Sequence, residues 1–307
     1  MPGDDLVVAD VNFLGHPGVI AAGLLVGPDG AALVDPGPAS SLPSLKAALA
    51  REGVSLGDVV AVLATHIHLD HAGASGAIVR ENPRVQVYVH ERGAAHLVDP
   101  SRLLASARRL YGESMDRLWG EIVPVPASNA RSLKGGEQLN IAGREVRVAY
   151  TPGHAWHHVT YFDVATGTAF VGDTGGARIG PSRYVMPTTP PPDIDLDAWD
   201  ASIDRILAWH PRALFLTHFG WFPDPNVHLR DLANRLRELA RLVQASLEQP
   251  GSDEERMARF AQAVGRDLRA HMPEEEAARY ELAVPPDHCW LGLARYWRRK
   301  SEVPSPA

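Results

Sequence analysis

Thr65-His66-Ile67-His68-Leu69-Asp70-His71 directly follows the apolar run of residues 59–64, and the two together decide the fold. Three histidines and one aspartate within six consecutive positions predict a metal site. The first two histidines alternate as side chains do at a strand end, whereas the aspartate and the third histidine lie where the chain turns into a helix. The four side chains can therefore face two neighbouring ions. Imidazole and carboxylate suit zinc, iron or manganese, so the metal stays open.

Three later strand-like runs each lead to another residue that can bind a metal. Residues 146–150 lead to His154, residues 168–171 to Asp173, and residues 213–216 to His218. The candidate ligands are therefore His66, His68, Asp70, His71, His154, Asp173 and His218. A single histidine is more often structural, and Asp173 alone could serve the turn before two glycines. The ordered set favours metal ligands over these alternatives.

Roughly residues 6–222 resemble the metallo-β-lactamase superfamily, because these candidate ligands occur in the order that is typical of it. The resemblance implies an α/β fold, the αββα metallo-β-lactamase sandwich of two packed sheets flanked by helices. It also implies two divalent metal ions, with zinc preferred and iron or manganese left open. By position, it assigns His66, His68 and His154 to one ion, Asp70, His71 and His218 to the second, and Asp173 to a bridge between them.

The helices predicted around the strands divide the chain into two units. In the first unit, helices are predicted over residues 42–52, 72–80, 101–119 and 196–209, and the third is expected to form part of a pocket wall. After residue 222 the sequence becomes rich in Ala, Leu, Arg and Glu, which predicts helices over residues 226–248, 253–271 and 273–282. We predict a catalytic domain over residues 1–222 and a helical C-terminal extension over residues 223–307. Apolar positions of the extension, such as Leu229 and Leu236, should pack on the core or on a second subunit, so a homodimer through these helices stays open.

Composition and charge restrict the classes of partner. With 307 residues, 45% of them hydrophobic, the chain can bury a large core. The net charge of −7 disfavours binding to a nucleic-acid backbone. We interpret Arg102, Arg108 and Arg109 as a solvated helix face rather than a polyanion site. No apolar run reaches the roughly 18 residues that span a bilayer, and the start does not read as a signal peptide. Together with the single cysteine, Cys289, these features predict a cytoplasmic protein that acts on a small molecule and binds neither membrane nor nucleic acid.

The predicted centre is suited to hydrolysis, because two divalent ions lower the pKa of a shared water and polarise the bond that it attacks. We predict a binuclear metal-dependent hydrolase that uses a metal-bound hydroxide to cleave an ester, lactone or thioester of a small metabolite. Asp70 is predicted to be catalytic, orienting the hydroxide and carrying its proton. Side chains expected at the substrate are Trp156, His157, Arg178, Tyr184, Met186, Phe219 and Trp221.

Other side chains near the ligands have two interpretations. Thr65, Thr151 and Thr217 either orient an imidazole or simply suit a strand end. By alternation, His157 faces the site and His158 begins the next strand. The remaining histidines and Cys289 are assigned no role.

Several alternatives within the resemblance stay open. A mononuclear iron persulfide dioxygenase can keep the motif while using only some of the ligands. Phosphodiesterase or β-lactamase activity could use the same site, although no export signal is seen. An acyl-homoserine lactonase is disfavoured by Gly176, where those enzymes place a tyrosine. Glyoxalase II enzymes also have a helical C-terminal region, which makes a thioesterase a candidate. A non-catalytic binding protein is disfavoured because all seven ligand positions are filled.

Overall fold

Two six-stranded sheets form the centre of the fold in the computed structural model, which describes residues 6–302. The first sheet has the order β1-β2-β3-β4-β5-β6 and the second the order β12-β11-β10-β9-β8-β7. The strands are β1 Leu6–Asp10, β2 Ala21–Gly27, β3 Gly30–Val34, β4 Val59–Leu63, β5 Gln86–His90, β6 Ala130–Leu133, β7 Gln138–Ile141, β8 Arg144–Tyr150, β9 Val159–Asp163, β10 Thr168–Phe170, β11 Ala213–Leu216 and β12 Gly220–Phe222.

The two sheets have different pairing patterns. In the first, β1 to β3 are antiparallel and β3 to β6 are parallel. In the second, neighbouring strands are antiparallel except for the parallel pair β10 and β11. The parallel strands are joined by helical crossovers that cover the outer face, which explains why β4 is almost entirely apolar and buried.

Helices cover the outer face of each sheet. They are α1 Leu42–Arg51, α2 Leu69–Ala72, α3 Ser75–Glu81, α4 Glu91–Val98, α5 Ser101–Tyr111, α6 Met115–Trp119, α7 Leu196–Leu207, α8 Pro225–Leu247, α9 Asp253–His271, α10 Glu274–Ala283 and α11 Pro286–Glu302. None of them, within residues 6–302, is both long and apolar enough to cross a membrane.

Three apolar clusters hold these layers together. Leu25, Leu63 and Phe170 belong to the cluster between the sheets. A second cluster joins the first sheet to helices such as α1, and a third joins the second sheet to α7 and to the C-terminal helices. This four-layer arrangement confirms the predicted αββα sandwich with a helical C-terminal region.

The helical region after residue 222 packs directly on the second sheet. Leu229 and Leu236 of α8 share a buried cluster with Val171 and Trp199, as predicted for its apolar positions. The division at residue 222 stays a prediction. Helix α11 was not predicted, although Pro286 suits the first position of a helix and the following apolar residues keep helical spacing.

One predicted helix is wrong in its length. The stretch from residue 101 to 119 is two helices, α5 and α6, because Gly112 adopts a φ of 53°, which ends the first helix. Tyr111, the last residue before the break, lines both cavities described below.

Helix α11 approaches the proline-rich loop of residues 187–192 closely at Gly292. A Cβ atom at this position would overlap the carbonyl oxygen of Thr189. The absence of a side chain there therefore lets the C-terminal region lie against a loop that borders the predicted ligands.

Candidate metal centre

Three imidazole nitrogens converge at the end of β4. His66 Nε2 lies 3.0 Å from His68 Nδ1, and His154 Nε2 lies 3.2 Å and 3.0 Å from these two atoms. Ligand nitrogens on one tetrahedral zinc ion, at Zn–N of about 2.0–2.1 Å, are separated by about 3.3 Å. The observed triangle is close to that spacing, so the three nitrogens fit one shared cation.

A second group of ligand atoms lies beside the first. His218 Nε2 is 3.4 Å from Asp70 Oδ2, and His71 Nε2 is 3.6 Å from the same oxygen. Asp70 and His71 lie on the short helix α2, as predicted for residues at a turn into a helix. His218 follows β11, so two distant segments build this group.

Asp173 stands between the two groups. Its Oδ2 is 3.4 Å from His154 Nε2 in the first group, whereas its Oδ1 is 3.1 Å from His71 Nε2 and 3.6 Å from His218 Nε2 in the second. One carboxylate thus faces both groups. This is the position that a bridging ligand would occupy.

Unpartnered buried atoms provide an independent test of the fit. Among the described residues, His71 Nε2, His218 Nε2 and Asp173 Oδ1 are buried and lack a hydrogen-bond partner. Leaving such atoms unsatisfied costs about 1–3 kcal/mol each. Because they point at one another, a divalent cation would satisfy all three. All seven predicted ligands are therefore brought together in two groups that can hold metal ions.

Asp35 is a buried carboxylate that sequence reasoning missed. Its oxygens accept hydrogen bonds from the Thr65 amide and hydroxyl, at 2.8 and 2.7 Å, and from the Thr217 hydroxyl at 2.7 Å. His71 Nδ1 lies 2.8 Å from its Oδ2. The N–H of His71 is thereby held on Asp35, which leaves Nε2 to face the centre. The only signal was its place at the end of a strand, before Pro36-Gly37, which reads as an ordinary turn.

Backbone carbonyls orient two further ligands. His154 Nδ1 lies 2.8 Å from the carbonyl oxygen of Thr188, and His218 Nδ1 lies 3.0 Å from that of Val19. Each Nδ1–H donates to its carbonyl, so each Nε2 presents its lone pair to the centre.

A cavity of about 560 Å³ opens beside His68. Helix α5 forms one wall, as predicted, and His157 and the loop of residues 190–193 form others. Arg295 of α11 completes the rim. His157 therefore faces the cavity, in agreement with its prediction, whereas His158 is fully buried beside Thr151 and Thr174.

A narrower cavity lies directly over the ligands. It is lined by His68, Asp70 and Asp173 together with Tyr111 of α5 and the turn between α10 and α11. His288, which was assigned no role, is in this wall, with its ring centroid 5.3 Å from that of Tyr111. No pattern in the sequence marked this contact, because residues 111 and 288 meet only through the packing of α11.

Sequence comparison identifies the family. The profile of the Metallo-beta-lactamase superfamily matches residues 16–218, which contain every ligand above. The chain belongs to this superfamily. Hydroxyacylglutathione hydrolases are among the proteins similar in sequence, and the predicted membership in this superfamily is confirmed.

The individual sequence relatives align with only part of this chain. A Metallo-beta-lactamase fold-containing protein of Sulfurisphaera tokodaii is 26% identical over 180 residues, 57% of this chain and 66% of that protein. A hydroxyacylglutathione hydrolase of Synechococcus sp. is 32% identical over 151 residues, 49% of this chain and 47% of that protein. The chain thus spans between about half and two thirds of these relatives. A metallo-beta-lactamase family protein from Thermus thermophilus has the same fold, with a TM-score of 0.70 at 24% identity over 97% of this chain and 94% of that one.

The imidazoles of the first ligand group are held neutral. Burial lowers the pKa of His66 well below its usual value, and it lowers the pKa of His154 to about 4. Burial also lowers the pKa of His68. Neutral imidazole is the form that binds metal, so this part of the superfamily site is ready for a cation near neutral pH.

Charge in the second ligand group is balanced differently. Burial opposes ionisation of Asp70, but His71 and His218 outweigh it and lower the pKa of this carboxyl to about 2. Burial likewise disfavours a charged His71, but Asp173 and Asp70 outweigh it and raise the pKa of this imidazole well above its usual value. A proton on His71 thus balances the carboxylates in the metal-free chain, and a bound cation would displace it.

The threonines before the ligands differ in what they contact. Thr65 and Thr217 both bond to Asp35, and the Thr65 hydroxyl also lies 3.1 Å from His66 Nδ1, which supports their role in orienting ligands. Thr151 bonds instead to His158 and Thr160, neither of which is a ligand. Cys289 lines the narrower cavity, but burial raises the pKa of its thiol to about 11, in keeping with the absence of an assigned role.

The other side chains expected at the substrate lie outside the walls of these two cavities. The Tyr184 hydroxyl bonds to Asp267 of α9, and the Arg178 guanidinium lies 4.4 Å from the ring centroid of Phe222. Tyr184 thus contacts a C-terminal helix and Arg178 contacts strand β12, and the sequence predicted neither contact.

The remaining four of this set are held by other neighbours. Trp156 faces Arg92, with the guanidinium 5.8 Å from its ring. Met186 is fully buried, and Phe219 and Trp221 pack on the cluster between the sheets. Of the predicted set, the structure places only His157 on a described cavity wall.

His228 should make stability depend on pH. This buried side chain lies with Nε2 2.8 Å from the Gly175 carbonyl oxygen, and burial lowers its pKa to about 4, against 6.5 for the free residue. Between pH 6.5 and about 4, His228 is protonated in the unfolded chain but not in the native chain. The free energy of unfolding should therefore fall as the pH drops from 6.5 towards 4. The expected contribution is at most about 1.4 kcal/mol per pH unit.

Denaturant unfolding of the native chain and of His228→Gln at about pH 7 and about pH 5 tests this expectation. Glutamine can still donate to the Gly175 carbonyl but does not titrate in this range. The variant should therefore lose less stability than the native chain on acidification. Equal losses in the two proteins would show that His228 is not the titrating group.

Proposed function

We propose that this chain is a binuclear metal-dependent hydrolase, with zinc as the preferred metal, that cleaves an ester, lactone or thioester of a small metabolite. The observation that carries the proposal is the position of Asp173, whose two oxygens face two separate groups of ligand atoms. A thioester is the first candidate substrate, because relatives of this chain include hydroxyacylglutathione hydrolases.

Bound divalent cations supply the two requirements of such a reaction: a water acidified enough to attack near neutral pH and a polarised carbonyl group. Asp35, Thr188 and Val19 supply the orientation of three ligand imidazoles through the hydrogen bonds to their Nδ1 atoms. Because these imidazole rings are already held in place, they need not reorganise when a substrate binds.

Asp70 is the carboxylate placed to act on the attacking water. Its side chain is 19% exposed, against 5% for Asp173, so Asp70 can reach a molecule in the narrower cavity. With a pKa of about 2, it is ionised near neutral pH and accepts a hydrogen bond from the water. The ionised carboxylate orients the water through this hydrogen bond, and we propose that it also receives the proton as the water attacks.

The walls over the ligands suit a partly apolar substrate. Tyr111, Pro190 and Val284 line the narrower cavity together with Asp70 and give it apolar surface. A carbonyl group held there would face the ligands, while the larger cavity beside His68 would receive the rest of the molecule.

A substrate panel with metal analysis tests the proposal. Protein purified without added metal should contain about two zinc ions per chain and should hydrolyse a thioester faster than a lactone, a phosphodiester or a β-lactam. Chelator-treated protein is the control and should be inactive until metal is returned. About one iron per chain, with oxygen uptake on a persulfide and no hydrolysis, would overturn the proposal in favour of a dioxygenase.

A further inference from the structure

The larger cavity carries positive charge from two distant parts of the chain. Arg102 and Arg109 of α5 line one wall, and Arg295 of α11 lines the rim. The cavity also contains the metal-ligand candidate His68. The basic wall, defined as Arg102, Arg109 and Arg295, therefore borders the proposed reaction centre in a chain whose net charge is −7.

Arg102 and Arg109 of the basic wall differ in their ion pairing from most arginines of the C-terminal helices. Arg269 and Arg298, for example, are paired with carboxylates at 2.6–2.7 Å. Neither Arg102 nor Arg109 has an ion-pair or hydrogen-bond partner for its guanidinium among residues 6–302. Their side chains are exposed and free to bind a ligand.

Arg295 is already oriented. Its Nε donates a hydrogen bond to the Pro192 carbonyl oxygen at 3.2 Å, which fixes one edge of the guanidinium on the proline-rich loop. The other edge of this planar group stays available for a carboxylate or phosphate oxygen. Asp193 is the one carboxylate among the described residues of this cavity, so the wall keeps an excess of positive charge.

The cavity has room for more than an acyl group. Its volume of about 560 Å³ is within the range of small-molecule sites, about 300–1,000 Å³. Leu103 and Leu110, on the same helix as the two arginines, give it an apolar side. A ligand that fits both features has an apolar part near His68 and an anionic part further out.

We propose that the basic wall binds a phosphate or carboxylate group on the substrate, remote from the bond that is cleaved. The inference rests on the proposed function: a thioester whose carbonyl lies at the ligands places its carrier in this cavity. The substrate class is then an acyl thioester of an anionic carrier. Arg102 and Arg109, read from sequence as a solvated helix face, are cavity residues, while Arg108 lies outside this wall.

Binding of non-hydrolysable thioethers tests the proposal without relying on turnover. Calorimetry on the metal-loaded protein would compare S-butyl coenzyme A, which carries phosphates, S-butyl glutathione, which carries carboxylates, and neutral S-butyl N-acetylcysteamine. At least one anionic thioether should bind about tenfold or more tightly than the neutral one. Whichever of the two binds more tightly identifies the anionic group.

Paired variants separate the wall from general charge effects. Arg102→Gln/Arg109→Gln should weaken the anionic thioether by about tenfold and leave the neutral one unchanged. Arg108→Gln/Arg117→Gln removes the same charge from residues outside the cavity wall and should change neither. Equal binding of the charged and neutral thioethers, or an unchanged preference in the first variant, would overturn the proposal. Tight anionic binding without hydrolysis of any thioester would support the wall and contradict the proposed function.

Discussion

Asp173→Ala is expected to lower hydrolysis by at least about a thousandfold, because the activation of water by two shared cations is worth several kcal/mol. Among the described residues, Asp173 is the one carboxylate with oxygens within 4 Å of imidazole nitrogens in both ligand groups, and the substitution removes it. His218 would keep Asp70 as a carboxylate neighbour and His71 would keep both Asp70 and Asp35, whereas His154 would have none within the distances seen here. The variant should therefore bind less than two metal ions per chain.

Thermal unfolding distinguishes this loss from a folding defect. Metal that binds only the native state raises its stability in proportion to the logarithm of metal concentration over Kd. With a chelator, Asp173→Ala should melt below the native chain, because it loses the charge interaction between Asp173 and the protonated His71. This difference measures the effect of the substitution without metal. Added zinc should stabilise the native chain much more than the variant. Two tightly held metals and full activity in Asp173→Ala would contradict a bridging role.

Asp35→Asn is expected to have the second-largest effect. The buried carboxylate faces four donors, from Thr65, Thr217 and His71, and an amide cannot accept from all of them. One buried donor is left unsatisfied, at a cost of about 1–3 kcal/mol in stability. Because His71 loses the partner that holds its ring, metal affinity at the second ligand group should fall by about 10–100-fold. Asparagine tolerates the φ of 49° at this position, so the backbone contributes little.

Asp163→Asn is the matched control. Asp163 is as buried as Asp35, and it accepts hydrogen bonds from Arg144 at 3.0 and 2.8 Å, but it has no contact with a ligand. Both variants should lose stability in denaturant unfolding. Only Asp35→Asn should lose metal, as measured by dialysis against a competing chelator. Equal metal retention in the two would show that Asp35 supports the fold alone.

The ligands could be predicted because each one follows an apolar strand, and strand ends that meet at one edge of a sandwich bring such residues together. Asp35 has the same placement after β3, yet its residue type and the glycine after Pro36 are equally typical of a turn. Its partners lie 30, 36 and 182 residues away. Only the fold could reveal them.

Residues over the centre were harder to predict, because they depend on how separate layers pack. Tyr111 and His288 meet only when α11 lies against the proline-rich loop, which the missing side chain of Gly292 permits. Tyr184 was one of the side chains expected at the substrate. The same packing directs it instead to Asp267 on α9. The order of residues along the chain therefore predicted which candidate ligands lie close together, but it did not predict most of the pocket walls.

Titration of chelator-treated protein with zinc, followed by the rate of thioester hydrolysis, tests the binuclear hydrolase most directly. The geometry of Asp173 between two ligand groups predicts that activity rises until about two zinc ions are bound per chain and then stays constant. A plateau at about one ion per chain, or no hydrolysis at any zinc concentration, would contradict the account.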